Sequence, residues 1–125
     1  MNLKKYYKTL LTSSTELTTL LGGVDKITAT YPQEVKTFPL VVYEDMNSRD
    51  VAFSDNKPEG TNAMVRIHIF SKTLKGYPKV EAIAEIVHSI FRDDYWACTG
   101  NQETPDVSDN TKHRVLDFSR AFYTL

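Results

Sequence analysis

The histidines and the single cysteine are the residues of this sequence best suited to chemistry. His68, His88 and His113 fall on three separate predicted elements. A metal site needs several ligands at suitable spacing, so this pattern favours three surface histidines. Cys98 follows Trp96 in a short apolar run without the local signature of a nucleophile, which favours a packed apolar side chain over an enzyme's active cysteine.

Two further pairs of residues have structural explanations. Asp93-Asp94 follows a predicted helix, where two carboxylates are typical of a solvated helix end rather than of a cation site. Gly22-Gly23 lacks the spacing of a phosphate-binding loop and predicts the end of a helix. The aromatic residues come without a basic groove, so they are interpreted as core. The sequence therefore predicts no catalytic residue, no metal, no cofactor and a protein that is not an enzyme.

Length and composition predict one ordinary globular domain over residues 1–125. Lys and Arg total 15 against 16 Asp and Glu, a net charge of −1 that gives no field for nucleic acid or an anionic membrane. No apolar run approaches the roughly 20 residues of a membrane span, and the start lacks the apolar stretch of a secretory signal. We expect a protein made in the cytoplasm.

Apolar spacing predicts the helices. The leucines and tyrosines from Leu3 to Leu21 repeat at helical spacing, as one kinked helix or two short ones, with Ser13 and Glu16 spaced as in a capping box. A continuous apolar stripe from Val80 to Phe91 indicates a central amphipathic helix that stops near Asp93.

Short β-prone runs predict the sheet. They are a run within Val24–Tyr31, Leu40–Tyr43 after Pro39, Ala63–Ser71, Tyr95–Thr99 and Arg114–Tyr123. Val65, Ile67 and Ile69 alternate with polar residues, which indicates a half-buried antiparallel strand. The expected fold is α+β, a small antiparallel sheet of about four to five strands packed against an N-terminal helix and the central helix.

A long polar stretch from Glu44 to Gly60 separates the two central strands. Hairpin loops usually have about 2–5 residues, and structureless loops above about 12–15 are usually functional or disordered. The stretch is either a disordered connector or a segment that orders against a partner, with Phe53 as its anchor. In the second interpretation, the residues expected to bind are Asp45, Arg49, Asp50, Val51, Phe53, Asp55, Lys57 and Glu59.

Taken in order, these segments resemble the tail-completion, or head–tail joining, proteins of long-tailed, siphovirus-type bacteriophages and prophages. The resemblance spans nearly the whole chain and depends on the order and spacing of the segments rather than on one motif. The segments are the leucine-rich helix ending at Leu20-Leu21-Gly22, Ile27 followed by Tyr31-Pro32, the strand Phe38-Pro39-Leu40-Val41-Val42-Tyr43, the strand Val65–Phe70, the helix Val80–Phe91 and the strand Arg114–Tyr123.

The resemblance implies a non-enzymatic virion protein that forms a ring, typically hexameric, at the head-proximal end of the tail. Its partners would be further copies of itself, the tail-tube protein and the head connector or completion protein, with a free subunit that can be monomeric. The loop between the central strands would move on assembly. Two alternatives stay open: a tail terminator that controls tail length, and a loop-mediated protein-binding module unrelated to virions.

Overall fold

The computed structural model describes residues 2–32, 35–46, 48–54, 57–104 and 110–123, with the backbone alone for 49–54 and 57–59. Its elements confirm the α+β prediction, including the N-terminal and central helices. In chain order they are α1 (Leu3–Thr12), α2 (Thr15–Leu21), a 3-10 turn (Val24–Lys26), β1 (Ile27–Thr28), β2 (Leu40–Asp45), β3 (Arg49–Ser54), β4 (Lys57–Lys72), α3 (Val80–Asp93), β5 (Ala97–Thr104) and β6 (Thr111–Tyr123).

The N-terminal leucine-rich segment forms two helices rather than one. The Ser14 hydroxyl accepts a hydrogen bond from the Leu17 amide at 3.1 Å, so α2 has a side-chain N-cap of its own. The capping box expected from Ser13 and Glu16 is wrong by one residue. Gly22 ends α2 as predicted, because its φ of 90° is the left-handed conformation that glycine adopts most easily.

The sheet has the strand order β1-β2-β4-β6-β5, and β3 pairs with β4 off this path. Its pairs are antiparallel except the β1–β2 pair, which is parallel, so the sheet is mixed rather than wholly antiparallel. The central strand β4 is 16 residues long. Its C-terminal part pairs with β2 along one edge, and its N-terminal part pairs with β3.

The predicted long loop between the central strands is largely strand. Residues Arg49–Ser54 pair with the N-terminal extension of β4, from Asn62 back to Lys57. Ladder pairing gives backbone N–H and C=O groups partners within the protein, which a loop would leave to water. The link between β2 and β3 is therefore only residues 46–48.

The helices cover one face of the sheet with an apolar core. The sheet contributes buried residues such as Val65, Ile67, Leu116 and Phe118. The helices contribute Tyr7, Leu11, Leu17, Leu21, Ile83, Val87 and Phe91. Phe91 of α3 stacks on Phe118 with ring centroids 4.4 Å apart, which confirms the apolar stripe predicted for this helix.

The strand β5 is longer than the predicted Tyr95–Thr99 run. It continues through Gly100 to Thr104, with a register irregularity between Cys98 and Gly100. Cys98 is exposed, so its interpretation as a packed apolar residue is wrong. The bulge explains why a glycine interrupts the strand without ending it.

Candidate assembly surface

The turn from β2 into β3 is held to the middle of β4 by its own polar groups. Asp45, exposed at the end of β2, accepts hydrogen bonds from the hydroxyls of Ser48 and of Tyr7, the latter at 3.2 Å. The Ser48 hydroxyl in turn accepts from the Met64 amide at 3.1 Å, and the Met46 amide donates to the Met64 carbonyl at 2.7 Å. Burial raises the pKa of Tyr7, so its hydroxyl keeps the proton that it donates to Asp45.

The residues predicted to bind a partner lie on one β-hairpin, formed by β3 and the start of β4. Arg49, Asp50, Val51 and Phe53 are in β3, and Lys57 and Glu59 are in β4. Asp45 lies at the base of this hairpin, and Asp55 lies outside the described residues. The conformation of this segment is strand rather than the predicted loop, and its contact with a partner stays a prediction.

Part of the hairpin lies outside the described pairing between β4 and β6. The described part of β6 pairs with β4 from Gly60 onward, so residues 57–59 precede that pairing. Over the ranges that the structure describes, β3 pairs with β4 alone. Its other edge carries backbone N–H and C=O groups without a strand partner, which is a template for pairing with another chain.

The base of the hairpin is closed by the end of β6. Gly60 is buried against Phe122 and Tyr123, and a Cβ on Gly60 would lie 2.7 Å from the Phe122 carbonyl oxygen and 2.9 Å from the Tyr123 ring. Only glycine allows this close approach without a backbone shift. The hairpin is thus fixed to the sheet on two sides, at Met64 and at Gly60.

A polar cluster near the end of β6 is centred on Asp94, the C-cap residue of α3, and it connects α1, α3 and β6. The Asp94 carboxylate accepts hydrogen bonds from the Tyr6 hydroxyl and, at 3.0 Å, from the Trp96 indole. Arg120 lies 3.1 Å from the same carboxylate and donates to the Asp94 carbonyl at 2.6 Å. Burial and the bond to Asp94 raise the pKa of Tyr6. The expectation that Asp94 is a solvated helix end is therefore wrong.

The opposite face of the sheet, away from the helices, carries a histidine pair that sequence reasoning missed. His68 of β4 and His113 of β6 are each 8% exposed, which corrects their assignment as surface residues. His68 Nδ1 lies 3.0 Å from His113 Nε2, and His68 Nε2 contacts the Glu44 carboxylate. Because a carboxylate only accepts, His68 Nε2 donates to Glu44. The two nitrogens that face each other can then hold one proton between them.

Protonation of both histidines at the same time is unfavourable. Burial, and then the charge of His68, lower the pKa of His113 to about 4. Phe70 stacks on the His113 ring with centroids 4.1 Å apart, and Tyr31 meets His68 edge-on at 4.7 Å. His113 is therefore a neutral packed ring at pH 7.

The described residues hold no group of three or more His, Cys, Asp or Glu side chains placed to bind a metal. None of the helices among them is long and apolar enough to cross a membrane. Within the described residues, this surface combines a β-hairpin with a strand edge that has no strand partner. Such an edge is a feature by which proteins can pair with an extended segment of a partner.

The family follows from a comparison with known protein families. Residues 8–123 match the family model described as tail completion protein gp17. The chain therefore belongs to this family of bacteriophage tail completion proteins, and the resemblance seen in the sequence is confirmed. A family of this kind indicates a structural role in the assembly of the phage tail. A search of curated proteins finds no match.

Proposed function

We propose that this protein forms a ring at the head-proximal end of the phage tail and joins the tail to the capsid connector. Membership of the tail completion family supports a role in tail assembly. The observation that carries the joining role is the β3–β4 hairpin, in which β3 pairs with β4 alone over the described residues and so leaves one edge for another strand. The ring would be hexameric, made in the host cytoplasm and located at the head–tail interface of the virion.

The hairpin would bind by strand addition. A strand of the tail-tube protein or of the connector would pair with the open edge of β3, where main-chain hydrogen bonds give affinity. Specificity would come from the side chains at Asp45, Arg49, Asp50, Val51, Phe53, Asp55, Lys57 and Glu59. Each copy in a ring repeats the contact, so weak individual contacts add up to a stable joint.

The hairpin's anchoring suits this task. The hydrogen bonds of Met46 and Ser48 to Met64, together with the Gly60 contact to β6, fix its base to the sheet. A preorganised binding element loses less conformational entropy on association than a loop of the same length. Little ordering would then be needed when the tail is completed.

The test removes the outer hairpin and keeps its base. In a phage lacking this gene, complementation would use a variant in which residues 52–59 are replaced by Asn-Gly. Val51 and Gly60, which are Cα partners, would then flank a two-residue turn. We expect the variant to fold with an unchanged circular dichroism spectrum. Electron microscopy of the lysate should show full heads beside separate tails of normal length.

The other outcomes of this experiment are distinct. Intact virions at normal yield from the shortened variant would contradict the role of the hairpin. Intact virions from the phage that lacks the gene would contradict any role of the protein in the virion. Tails of uncontrolled length would move the function to tail termination. Lys75→Ala, in the exposed turn before α3 at the other end of β4, is the matched control and should give normal virions.

A further inference from the structure

The strands β2 and β3 lie on the same edge of β4. Asn62 of β4 pairs with Ala121 of β6 on one side and with Arg49 of β3 on the other, so β3 lies on the edge opposite β6. The strand β2 occupies that edge from Phe70 to Val65, and β3 occupies it from Asn62 to Lys57. Both strands run antiparallel to β4, so β3 continues β2 in the same direction.

One extra residue separates these two strands. Between the Cα pair Asp45–Val65 and the Cα pair Arg49–Asn62, the β2–β3 side advances by four residues (45 to 49) and β4 by three (65 to 62). An extra residue of this kind is a β-bulge, which bends a strand, increases its twist and reverses the alternation of its two faces. The bulge at residues 46–48 therefore sets the direction in which the hairpin leaves the sheet.

The side chain of Ser48 takes the place of a ladder partner at this bulge. The Met46 amide donates to the Met64 carbonyl at 2.7 Å, and the Met64 amide donates to the Ser48 hydroxyl at 3.1 Å. The Ser48 hydroxyl donates its own proton to the Asp45 carboxylate. The position of Asp45 therefore determines where the Ser48 hydroxyl lies, and through it how β4 is held.

Tyr7 connects this bulge to α1. Its ring is fully buried and packs edge-on against Tyr43 and Trp96, with ring centroids 6.4 Å and 5.7 Å away. Its hydroxyl donates to the Asp45 carboxylate at 3.2 Å. Because Asp45 is exposed, water can solvate this carboxylate without the tyrosine. What Tyr7 adds is a donor at a fixed place, which holds Asp45 in one position.

We propose that Tyr7 is a positioning residue for the β3–β4 hairpin. Its hydroxyl fixes Asp45, Asp45 fixes Ser48, and Ser48 fixes the bulge from which the hairpin continues. This inference rests on the joining function proposed above and identifies the side chains that aim the hairpin. It makes the direction of the hairpin depend on α1, a helix packed in the core.

A purely structural role for Tyr7 has a different consequence. If the hydroxyl only stabilised the core, its loss would accelerate hydrogen exchange at all amides that open by global unfolding, and by the same factor. Loss of a positioning bond instead releases the bulge and leaves the middle of the sheet closed. The two roles therefore differ in which amides respond.

The direct test is amide hydrogen exchange, followed by NMR, in the purified full-length protein and its Tyr7→Phe variant. A hydrogen bond to a charged group is worth about a factor of ten in such an equilibrium, so exchange at Met46 and Met64 should become about tenfold faster. Exchange at Ile67 and Ile69, in the middle of β4, should change little. Unchanged exchange at the bulge, or equal acceleration along β4, would overturn the inference.

Matched variants separate the hydrogen-bonded chain from general effects on the core. The hydroxyls that reach Asp45 are those of Tyr7 and Ser48, so Tyr43→Phe, in a neighbouring core ring, should leave exchange at the bulge unchanged. Asp45→Asn keeps an acceptor oxygen and should keep the slow exchange, whereas Asp45→Ala should match Tyr7→Phe. Fast exchange in the Asp45→Asn variant would contradict this chain of bonds.

Complementation of a phage that lacks the gene connects the bulge to assembly. Tyr7→Phe should give a several-fold lower yield of joined virions, with full heads beside tails of normal length, and Tyr43→Phe should give a normal yield. Faster exchange at the bulge together with a normal yield from Tyr7→Phe would overturn the inference and leave the proposed function standing. Intact virions from the phage without the gene would instead show that the proposed function is wrong.

Discussion

The two faces of the sheet are built from alternate residues of the same strands, yet they are stabilised by different forces. On the helix-covered face, β4 contributes Val65, Ile67 and Ile69 to an apolar core. On the opposite face, the same strand contributes Arg66 and His68, which pair with Asp117 and His113 of β6. The first face depends on apolar burial, and the second depends on which groups carry protons.

The difference follows from how each face is covered. Three helices bury the first face, so its stability should change little with pH or salt. On the second face, a small apolar cluster of Leu40, Val42 and Phe70, with Val35 and Phe38 packed against it, is buried beside the two histidines. Buried polar groups on this face need hydrogen-bond partners, and the strength of these interactions depends on the charge of each group.

The largest effect is expected from truncation on the helix-covered face. Phe118→Ala removes a fully buried ring that stacks on Phe91, and such truncations cost about 3–5 kcal/mol. Urea unfolding at pH 7 measures the free energy of unfolding. Phe118→Leu keeps most of the apolar volume and is the control, with a markedly smaller loss. Equal losses for the two variants would show that packing volume does not decide stability on this face.

The second effect is a pH dependence that comes from the histidine face. The pKa of His113 is lowered to about 4 by burial and by His68, against an ordinary value of 6.5. The unfolded chain therefore binds more protons than the folded chain between these values. The contribution of neutral His113 to the free energy of unfolding is fully present above pH 6.5, and it is lost as the pH drops towards 4. At about 1.36 kcal/mol per pKa unit, the loss is about 3 kcal/mol.

His113→Gln tests the origin of this pH dependence. The amide can still donate to His68 Nδ1 but does not titrate, so the curve of unfolding free energy between pH 6.5 and 5 should flatten. The upper part of the range is the informative one, because the carboxylates titrate lower. His88→Gln, which removes a histidine from α3, is the matched control. A slope that persists in His113→Gln but disappears in His88→Gln would assign the effect to the helix side.

The smallest effect is expected from the ion pair on the histidine face. Arg66 Nε lies 2.8 Å and Nη2 3.3 Å from the two carboxylate oxygens of Asp117, a bidentate geometry. The side chains are 38% and 30% exposed, so solvent screens the pair and its coupling should be about 0.2–1 kcal/mol. A double-mutant cycle with Arg66→Gln and Asp117→Asn measures this energy. It should shrink in 1 M salt, and a coupling unaffected by salt would mean that the pair is effectively buried.

Much of the fold was predictable because its signals are local. The stripe from Val80 to Phe91 and the glycine after α2 depend only on near neighbours in sequence. The hairpin was not predictable in form, since its Asp, Asn, Pro and Gly residues have low β propensity. Its strand conformation comes from the extension of β4, which the sequence pattern does not reveal.

The polar groups of the site were the least predictable feature. His68 and His113 are 45 residues apart, and they meet because β4 and β6 pair in a register that places Phe70 opposite His113. Tyr95, which follows the C-cap of α3, has a φ of 67°, a conformation that usually belongs to glycine, so residue preference predicted a strand residue there instead. A Schellman spacing of Phe91 and Trp96 around Tyr95 is the one sequence signal that could have indicated its conformation.

The shared central strand also has a mechanical consequence. Residues 57–72 form one uninterrupted strand, so a pull on the hairpin is transmitted along β4 into the middle of the sheet. There the ladder with β6, from Gly60 to Lys72, lies parallel to the direction of the force, and β2 adds a second ladder on the other edge. Hydrogen bonds loaded in this way share the force and must shear together, rather than open one after another. A subunit gripped by its hairpin would therefore resist extraction with the strength of its whole sheet.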